Sequence, residues 1–534
     1  VTPRQASPRA PRPSEWSRPD VTPDWLDLRA RMSPARPALI AGDHRWSFAE
    51  LDRRAGRVAR RLAARGVAAG NRVAVLLRNG PQFVAVTHAL SKLGAVMVPM
   101  NIRLAGCELA AQLKEVGAAA LIHDRATAAR AEDAAHGMPD LWRAGVDDRE
   151  GCDEPIDETA TPAPTAEKAM PRCACLRLSA VQGIFFTSAT SGRAKGVRLT
   201  FGNHWWSAVG SALNLGLLPD DRWLACMPLY HVGGMAILWR SVIYGIPAVV
   251  HESFDPEMVN RDIDTAGVTL VSVVPVMLQR LLDARGQRPF PPTLRCLLLG
   301  GAPAPQPLLE ACLRIGAPVA PTYGLTEAAS QVATLAPEDA GRKFGSVGGP
   351  LFPSELRIGR PRRAAPAGEV GEILVRGPTV MLGYAGRRAE TARALRGGWL
   401  HTGDLGYIDG DGYLYVVDRR DDLIVSGGEN VYPAEVERVL EEHPGIEEAG
   451  VIRMRSAVWG QTVGAVVKVR VGMQLSEHEI RAFCAQRLAG YKVPRHVWFT
   501  DALPRTAAGK LSRRSLRERI EGIAEKEDQT SSGH

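Results

Sequence analysis

Apolar residues along this chain come in short runs separated by stretches of helical period. RVAVLL at 72–77 is a continuous apolar run of strand length, QFVAVTHALSKLG at 82–94 has helical spacing, and AVMVPMN at 95–101 is again strand-like. The same alternation returns in TLVSVV at 269–274 and RCLLLGG at 295–301. There PLLEACLRIG at 307–316 reads as a helix leading to PVAPTYG at 318–324. Buried strands alternating with helices predict an α/β architecture with largely parallel sheets.

Two regions break this rhythm. Residues 126–179 include the acidic, Pro/Thr-rich DDREGCDEPIDETATPAPTAEK and read as a long surface loop. From about Gly403 the texture changes, and GYIDGDGYLYVVDRRDDLIVSGG at 406–428 holds a DGDG turn between alternating strands, a hairpin signal. PAEVERVLEEHPG places Pro433 at a first helical position, and Ser476 with Glu479 forms a capping box. These features predict a smaller α+β domain at the C-terminal end. Residues 1–24, rich in Pro, Arg and Ser, read as a disordered extension, and 521–534 as a flexible tail.

A chain of 534 residues with 45% hydrophobic content exceeds what one core usually serves, so more than one domain is expected. The net charge of +8 is spread along the chain without a cationic block, which argues against nucleic acid and suits anionic small molecules. Eight cysteines without a CxxC pair point away from a disulfide framework or zinc site, toward reduced thiols and a cytoplasmic setting. The longest apolar run, GVTLVSVVPVML, is well below the ~18 residues of a membrane span, and no secretion signal is expected.

The chemistry gathers at FFTSATSGRAKG, residues 185–196. A Walker loop requires GxxxxGK followed by Ser or Thr; here Lys195 is followed by Gly196 and the hydroxyls precede the lysine. What remains is a hydroxyl- and glycine-rich loop ending in a cation, suited to gripping a polyphosphate, or else a Ser/Gly linker with a stray lysine. The segment TSATSGRAKG resembles the phosphate loop of the acyl-adenylate-forming superfamily, which includes acyl-CoA synthetases, peptide-synthetase adenylation domains and luciferases. The rest of that family's motifs follow in order: PLYHVGG at 228–234, LLLGGAP at 297–303, PTYGLTE at 321–327, GWLHTGD through PAEVE at 398–437, and LPRTAAGK at 503–510. Any one is weak, but six in order are specific.

The resemblance implies the adenylate-forming enzyme fold. Its large N-terminal AMP-binding domain, taken as 25–420, combines α/β subdomains with a β-barrel-like part. A small mobile C-terminal domain, taken as 421–520, closes the active site between the two. It implies ATP, Mg²⁺ and CoA as co-substrates. A carboxylate attacks the α-phosphate of ATP to give an acyl-adenylate, and the CoA thiol then takes the acyl group. The first nucleophile is already an anion, so charge control rather than a general base is needed.

By resemblance, Thr187, Ser188, Thr190, Ser191, Gly192 and Lys195 hold the phosphates. Glu327 holds Mg²⁺, and Thr326 bonds the α-phosphate. Gly301, Ala302 and Pro303, with Tyr323 and Gly324, form the adenine slot. Asp404 and Arg419 bind the ribose. Lys510 bridges the α-phosphate and carboxylate oxygens. Asp421 is the hinge, and Gly427 and Gly428 flank the thiol's tunnel.

GNHWWSAVGSALNLGL, PLYHVGGMAILWRSVIYG and KFGSVGGPLFPSELRI are similar to the family's 2-succinylbenzoate:CoA ligase branch, which serves menaquinone biosynthesis. That substrate has two carboxylates, so the pocket should contain a further cation. Arg240 is the candidate, with Ser272 and His231 lining the acid. The alternatives are a salt bridge for Arg240 and a satisfied core histidine for His231. Ala189 and Ala194 depart from the family's usual Gly and Pro. A ligase for another aryl or medium-chain acid, and a non-catalytic nucleotide-binding descendant, remain as alternatives. Oligomeric state is left open.

Overall fold

In a computed structural model, the structure describes residues 20–147, 154–155, 175–187, 194–302, 304–360, 363–418, 423–504, 511, 513 and 515–520. Of the extension expected over 1–24, residues 1–19 lie outside them, as does the tail 521–534, while at 20–24 the expectation is corrected: Val21–Pro23 is a strand paired antiparallel with Cys175–Arg177, and buried Asp24 caps the helix that follows.

Two large sheets form the body. One has eight strands and runs parallel from Val181–Thr187 through Val96–Pro99, Arg72–Leu76, Ala120–His123 and Trp142–Gly145 to Glu154–Pro155. Lys195–Thr200 and Gly383–Tyr384 are added antiparallel at the other edge. The other has nine strands, parallel from Val319–Leu325 through Cys296–Leu299, Leu270–Val273, Trp223–Ala225 and Ala248–Val250 to Pro37–Ala41. The runs are apolar without alternation because helices cover both faces, as in Arg72–Leu76, where only Arg72 is exposed. Helix Pro81–Leu93 opens on Pro at its first position and stops at left-handed Gly94. Every residue from Phe83 to Leu93 is buried, which marks a helix enclosed between layers rather than amphipathic. Each fully buried Val, Leu or Phe there contributes roughly 1.5–3 kcal/mol.

The barrel-like part is an antiparallel six-stranded sheet built on Glu355–Arg360, Gly371–Arg376, Trp399–Ile408 and Leu414–Asp418. The DGDG turn closes its hairpin, with Ile408 opposite Leu414. Asp409 Oδ1 accepts from the backbone N–H groups of Asp411 and Tyr413, an aspartate-nucleated turn. C-terminal to it lies a five-stranded sheet dominated by the hairpin Ile446–Ser456 and Gly460–Val469, carrying helices Pro433–Glu441 and Glu477–Ala485. Ser476 and Glu479 make the expected reciprocal capping box.

The loop expected over 126–179 is corrected at its start. Helix Ala128–Ala135 and strand Trp142–Gly145 occupy residues 126–147 and extend the eight-stranded sheet. Small side chains explain the misreading. Ala131, Ala134 and Ala144 are buried, and these alanines carry too little apolar bulk to stand out against an acidic, polar sequence.

Candidate active site

One cavity of about 960 Å³ is lined by both large sheets' loops and by the small C-terminal part. Its lining includes Thr187, His231, Arg240, Ser272, Gly301, Gly324, Thr326, Glu327, Asp404, Gly427 and Gly428, residues spread over more than 240 positions of the chain.

The floor is built by helix Val232–Tyr244, which starts directly after His231. Gly234 is needed there because a Cβ would lie 2.5 Å from the Pro228 carbonyl oxygen. Two turns on, Arg240 is 2% exposed. Its Nη2 donates to Ser207 Oγ at 3.4 Å, its guanidinium stands 5.1 Å from the Trp223 ring centre, and Nε has no partner. Among the described residues no carboxylate pairs with it, so the salt-bridge alternative is not realised. Burial lowers its pKa from the usual arginine value. Burial first, and the Arg240 charge second, push His204 down to about 3, so that imidazole stays neutral beside the cation. Ser272 is buried and accepts from Trp223 Nε1 at 2.9 Å, which ties it to the same wall.

At the other end, Glu327 receives the Tyr384 hydroxyl on Oε1 at 2.9 Å. Although it opens to the cavity, protein surrounds it, and burial raises its pKa against the opposing pull of backbone and Tyr384 hydrogen bonds and of Lys195. Lys195 Nζ lies 5.1 Å from the Tyr384 ring centre. Thr187 pairs with Lys195 across the antiparallel strands. Gly301 has φ +81, a conformation that side chains other than glycine rarely adopt.

Tyr323 is buried in the core between Thr322 and Gly324, which line the cavity. Its hydroxyl donates to Asp404 Oδ2 at 2.7 Å, which aims the carboxylate. Ala302 is partly buried beside Gly301 but is not part of the lining. Ser188, Ala189, Thr190, Ser191, Gly192, Pro303, Arg419, Asp421 and Lys510 lie outside the described residues.

The third wall comes from the C-terminal part, with Gly427 and Gly428 at φ +58 and +86. Glu429, 3% exposed, accepts from Tyr230 Oη at 2.9 Å and from Asn101 Nδ2 at 3.2 Å. It also bonds His231 Nε2 at 3.0 Å and pairs with Arg103 at 3.6 Å. Burial alone would raise its pKa; His231, Arg103 and Tyr230 together hold it down at about 2. His231 therefore lines the cavity with its ring bound to the C-terminal part, beyond the acid-wall role expected of it. Beside this, Lys492 Nζ bridges Glu108 at 2.6 Å and Glu435 at 2.8 Å, all three buried or nearly so. Glu429, Lys492, Tyr230, Tyr384 and Gln331 were not singled out from the sequence. Glu429 could have been, because it follows directly on Gly428 in SGGEN.

Among the described residues no three His, Cys, Asp or Glu side chains gather as a metal cage. A Mg²⁺ that arrives on ATP needs only one or two carboxylates besides phosphate and water, and the Glu327 carboxylate, which lines the cavity, is a hard oxygen donor of the kind it takes.

The AMP-binding enzyme family model matches residues 26–385, and the model of the AMP-binding enzyme C-terminal domain matches 435–510. A 2-succinylbenzoate-CoA ligase of Geobacillus kaustophilus is 48% identical over 506 residues, covering 93% of this chain and 98% of its own. The o-succinylbenzoate CoA synthetase (MenE) of Bacillus subtilis, as a double mutant bound with its product analogue, superposes with TM-score 0.86 at 40% identity over 93% of this chain and 98% of that one. The same enzyme in complex with ATP and magnesium ion gives 0.70, again at 40% identity, over 93% and 100%. On these matches, which run through both the large and the small part, the chain belongs to the AMP-binding enzyme family.

Proposed function

We propose that this protein is an AMP-forming acid-thiol ligase that joins 2-succinylbenzoate to CoA through an acyl-adenylate, a step of menaquinone biosynthesis carried out in the cytoplasm. The observation that carries the substrate is Arg240: a buried guanidinium without a carboxylate partner among the described residues, at the floor of the cavity that also holds Glu327 and Asp404. A buried, unpaired charge is costly, and a ligand carboxylate that reaches it recovers that cost. A substrate with a second carboxylate can place one group there and keep the other for reaction.

In the first half-reaction the substrate carboxylate attacks the α-phosphorus, and pyrophosphate leaves with the electron pair of the broken P–O bond. Lys195 and the Thr326 hydroxyl offset charge on the phosphates. Asp404, aimed by Tyr323, accepts from the ribose hydroxyls, and the glycines at 301 and 324 leave room for adenine. Glu327 would hold Mg²⁺, which when bound would supply charge neutralisation on the phosphate oxygens. Lys510 bridges the α-phosphate and carboxylate oxygens. In the second half-reaction the CoA thiol, passing Gly427 and Gly428, attacks the acyl carbon and AMP departs.

The two solved forms of the Bacillus subtilis enzyme share one identity with this chain yet differ in TM-score, 0.86 against 0.70. The contacts of Glu429 and Lys492 with the large part support a cycle in which the C-terminal part docks and then parts again. CoA-dependent AMP formation across a panel of acids tests the function. Succinylbenzoate should exceed benzoate and medium-chain fatty acids by orders of magnitude, and equal turnover of all would remove the proposed substrate.

A further inference from the structure

The backbone of Lys195 is held from one side by a segment that the proposed chemistry does not use. Strand Gly383–Tyr384 pairs antiparallel with the strand that begins at Lys195, and Ala385 N donates to Gly196 O at 2.7 Å. Two residues further, Arg387 Nη2 donates to the Ala194 carbonyl oxygen at 2.9 Å. The same guanidinium meets Glu115 through two parallel bonds, Nε to Oε1 at 2.8 Å and Nη2 to Oε2 at 2.7 Å. Glu115 sits in the last turn of helix Gly106–Val116, a distant part of the chain. Both side chains are largely shielded, 16% and 25% exposed.

The Ala194 carbonyl belongs to the same rigid peptide plane as the Lys195 N–H, so gripping that oxygen fixes where the Lys195 side chain starts. The family's usual proline would restrain φ at position 194, and alanine does not. An arginine clamped by a bidentate carboxylate restores the restraint from outside, with the directional geometry that a lysine lacks. The same short segment also carries Tyr384, whose ring faces Lys195 Nζ and whose hydroxyl holds Glu327. One piece of chain thus sets both the cation and the carboxylate expected around the nucleotide's phosphates.

We propose that Arg387, anchored by Glu115, is a positioning residue that sets Lys195 for ATP. The inference rests on the nucleotide-binding reading of Lys195. The test compares full-length wild type with Arg387→Ala, Arg387→Lys and Glu115→Gln. It measures ATP-dependent pyrophosphate exchange, thioester formation from supplied acyl-adenylate, Mg·ATP binding by calorimetry, and Tm. For Arg387→Ala, KM for ATP should rise about tenfold, as expected for a lost charge-assisted hydrogen bond. KM for the acid and the rate from supplied adenylate should stay within about twofold of wild type. Glu115→Gln keeps one acceptor and Arg387→Lys keeps the charge, so each should raise KM for ATP by about threefold. An unchanged KM for ATP in Arg387→Ala overturns the proposal. So does an equal fall in both half-reactions with a lowered Tm, which would make the pair a structural prop. If Arg387→Ala does not fold, unchanged KM for ATP in both milder variants overturns it. A wild type that fails to bind Mg·ATP refutes the nucleotide reading itself, whereas tight binding equal in all variants refutes only the role of Arg387.

Discussion

At the floor of the cavity Arg240 has few partners among the described residues, whereas at the seam with the C-terminal part the charged groups have several each. Arg240 has a serine hydroxyl and an aromatic face, and burial works against its charge. Glu327 accepts from the Tyr384 hydroxyl and feels the Lys195 charge, yet burial still raises its pKa. By contrast Glu429 bonds or pairs with four groups and falls to about 2, and Lys492 lies between two glutamates. The difference fits two jobs. A binding site gains affinity when the ligand completes groups the fold left incomplete. At the seam the charges are satisfied in the docked state, and in the proposed two-state cycle they return to water when it parts. On separation Lys492 keeps Glu435, which belongs to its own part, and only Glu108 is released.

The sharpest break in this comparison is Glu327→Gln. Adenylation should fall about 10²–10³-fold, as for loss of a group that controls transition-state charge. Tm of the ligand-free protein should nevertheless rise. A carboxyl whose folded pKa is raised contributes stability below its unfolded pKa and loses it as pH rises through the folded value, so at neutral pH the charge is a burden that the amide removes. Thermal melts at pH 5 and pH 8 check this, and the gain should be larger at pH 8.

Next in size is Arg240→Met. Its kcat/KM for succinylbenzoate should drop about 10²-fold while that for a benzoate lacking the second acid changes only a few-fold. Equal losses would show that the guanidinium is not a carboxylate site.

At the seam the effects should be smaller and confined to one half-reaction. Glu429→Gln should slow thioester formation about tenfold, because charge-assisted bonds to His231 and Arg103 become neutral ones, with pyrophosphate exchange within twofold. Lys492→Met should do the same by a few-fold, since the two glutamates left behind gain protons or water. The smallest effect is a null one in pH. With Glu429 depressed to about 2, its contribution to docking is complete above its ordinary value near 4.5 and is lost only as pH falls from there toward 2. Domain-to-domain energy transfer should therefore lose nothing through Glu429 between pH 8 and pH 5.

Much of the fold was readable because its signals are local. The strands at 72–77 and 95–101, the Pro- and Gly-bounded helix between them, the DGDG hairpin and the Ser476–Glu479 box each depend on neighbours a few residues apart. The helix and strand within 126–147 were missed because alanine packs well without advertising burial. In the site, Glu327, Asp404, Arg240 and Gly428, singled out from the sequence, line one cavity, but the bond from the Tyr323 hydroxyl to Asp404 joins residues 81 apart and no motif signals it.

By itself the sequence determined the kinds of element, the presence of two unlike parts and the chemical types gathered for a nucleotide and an acid. Tertiary structure alone decided that Arg240 meets a serine hydroxyl and an aromatic face and no carboxylate among the described residues, that Arg387 reaches back 193 residues to Ala194, and that Glu429 closes on His231. Partner identity for a charge depends on which distant segments the packing brings within about 3 Å, and no local pattern encodes that distance.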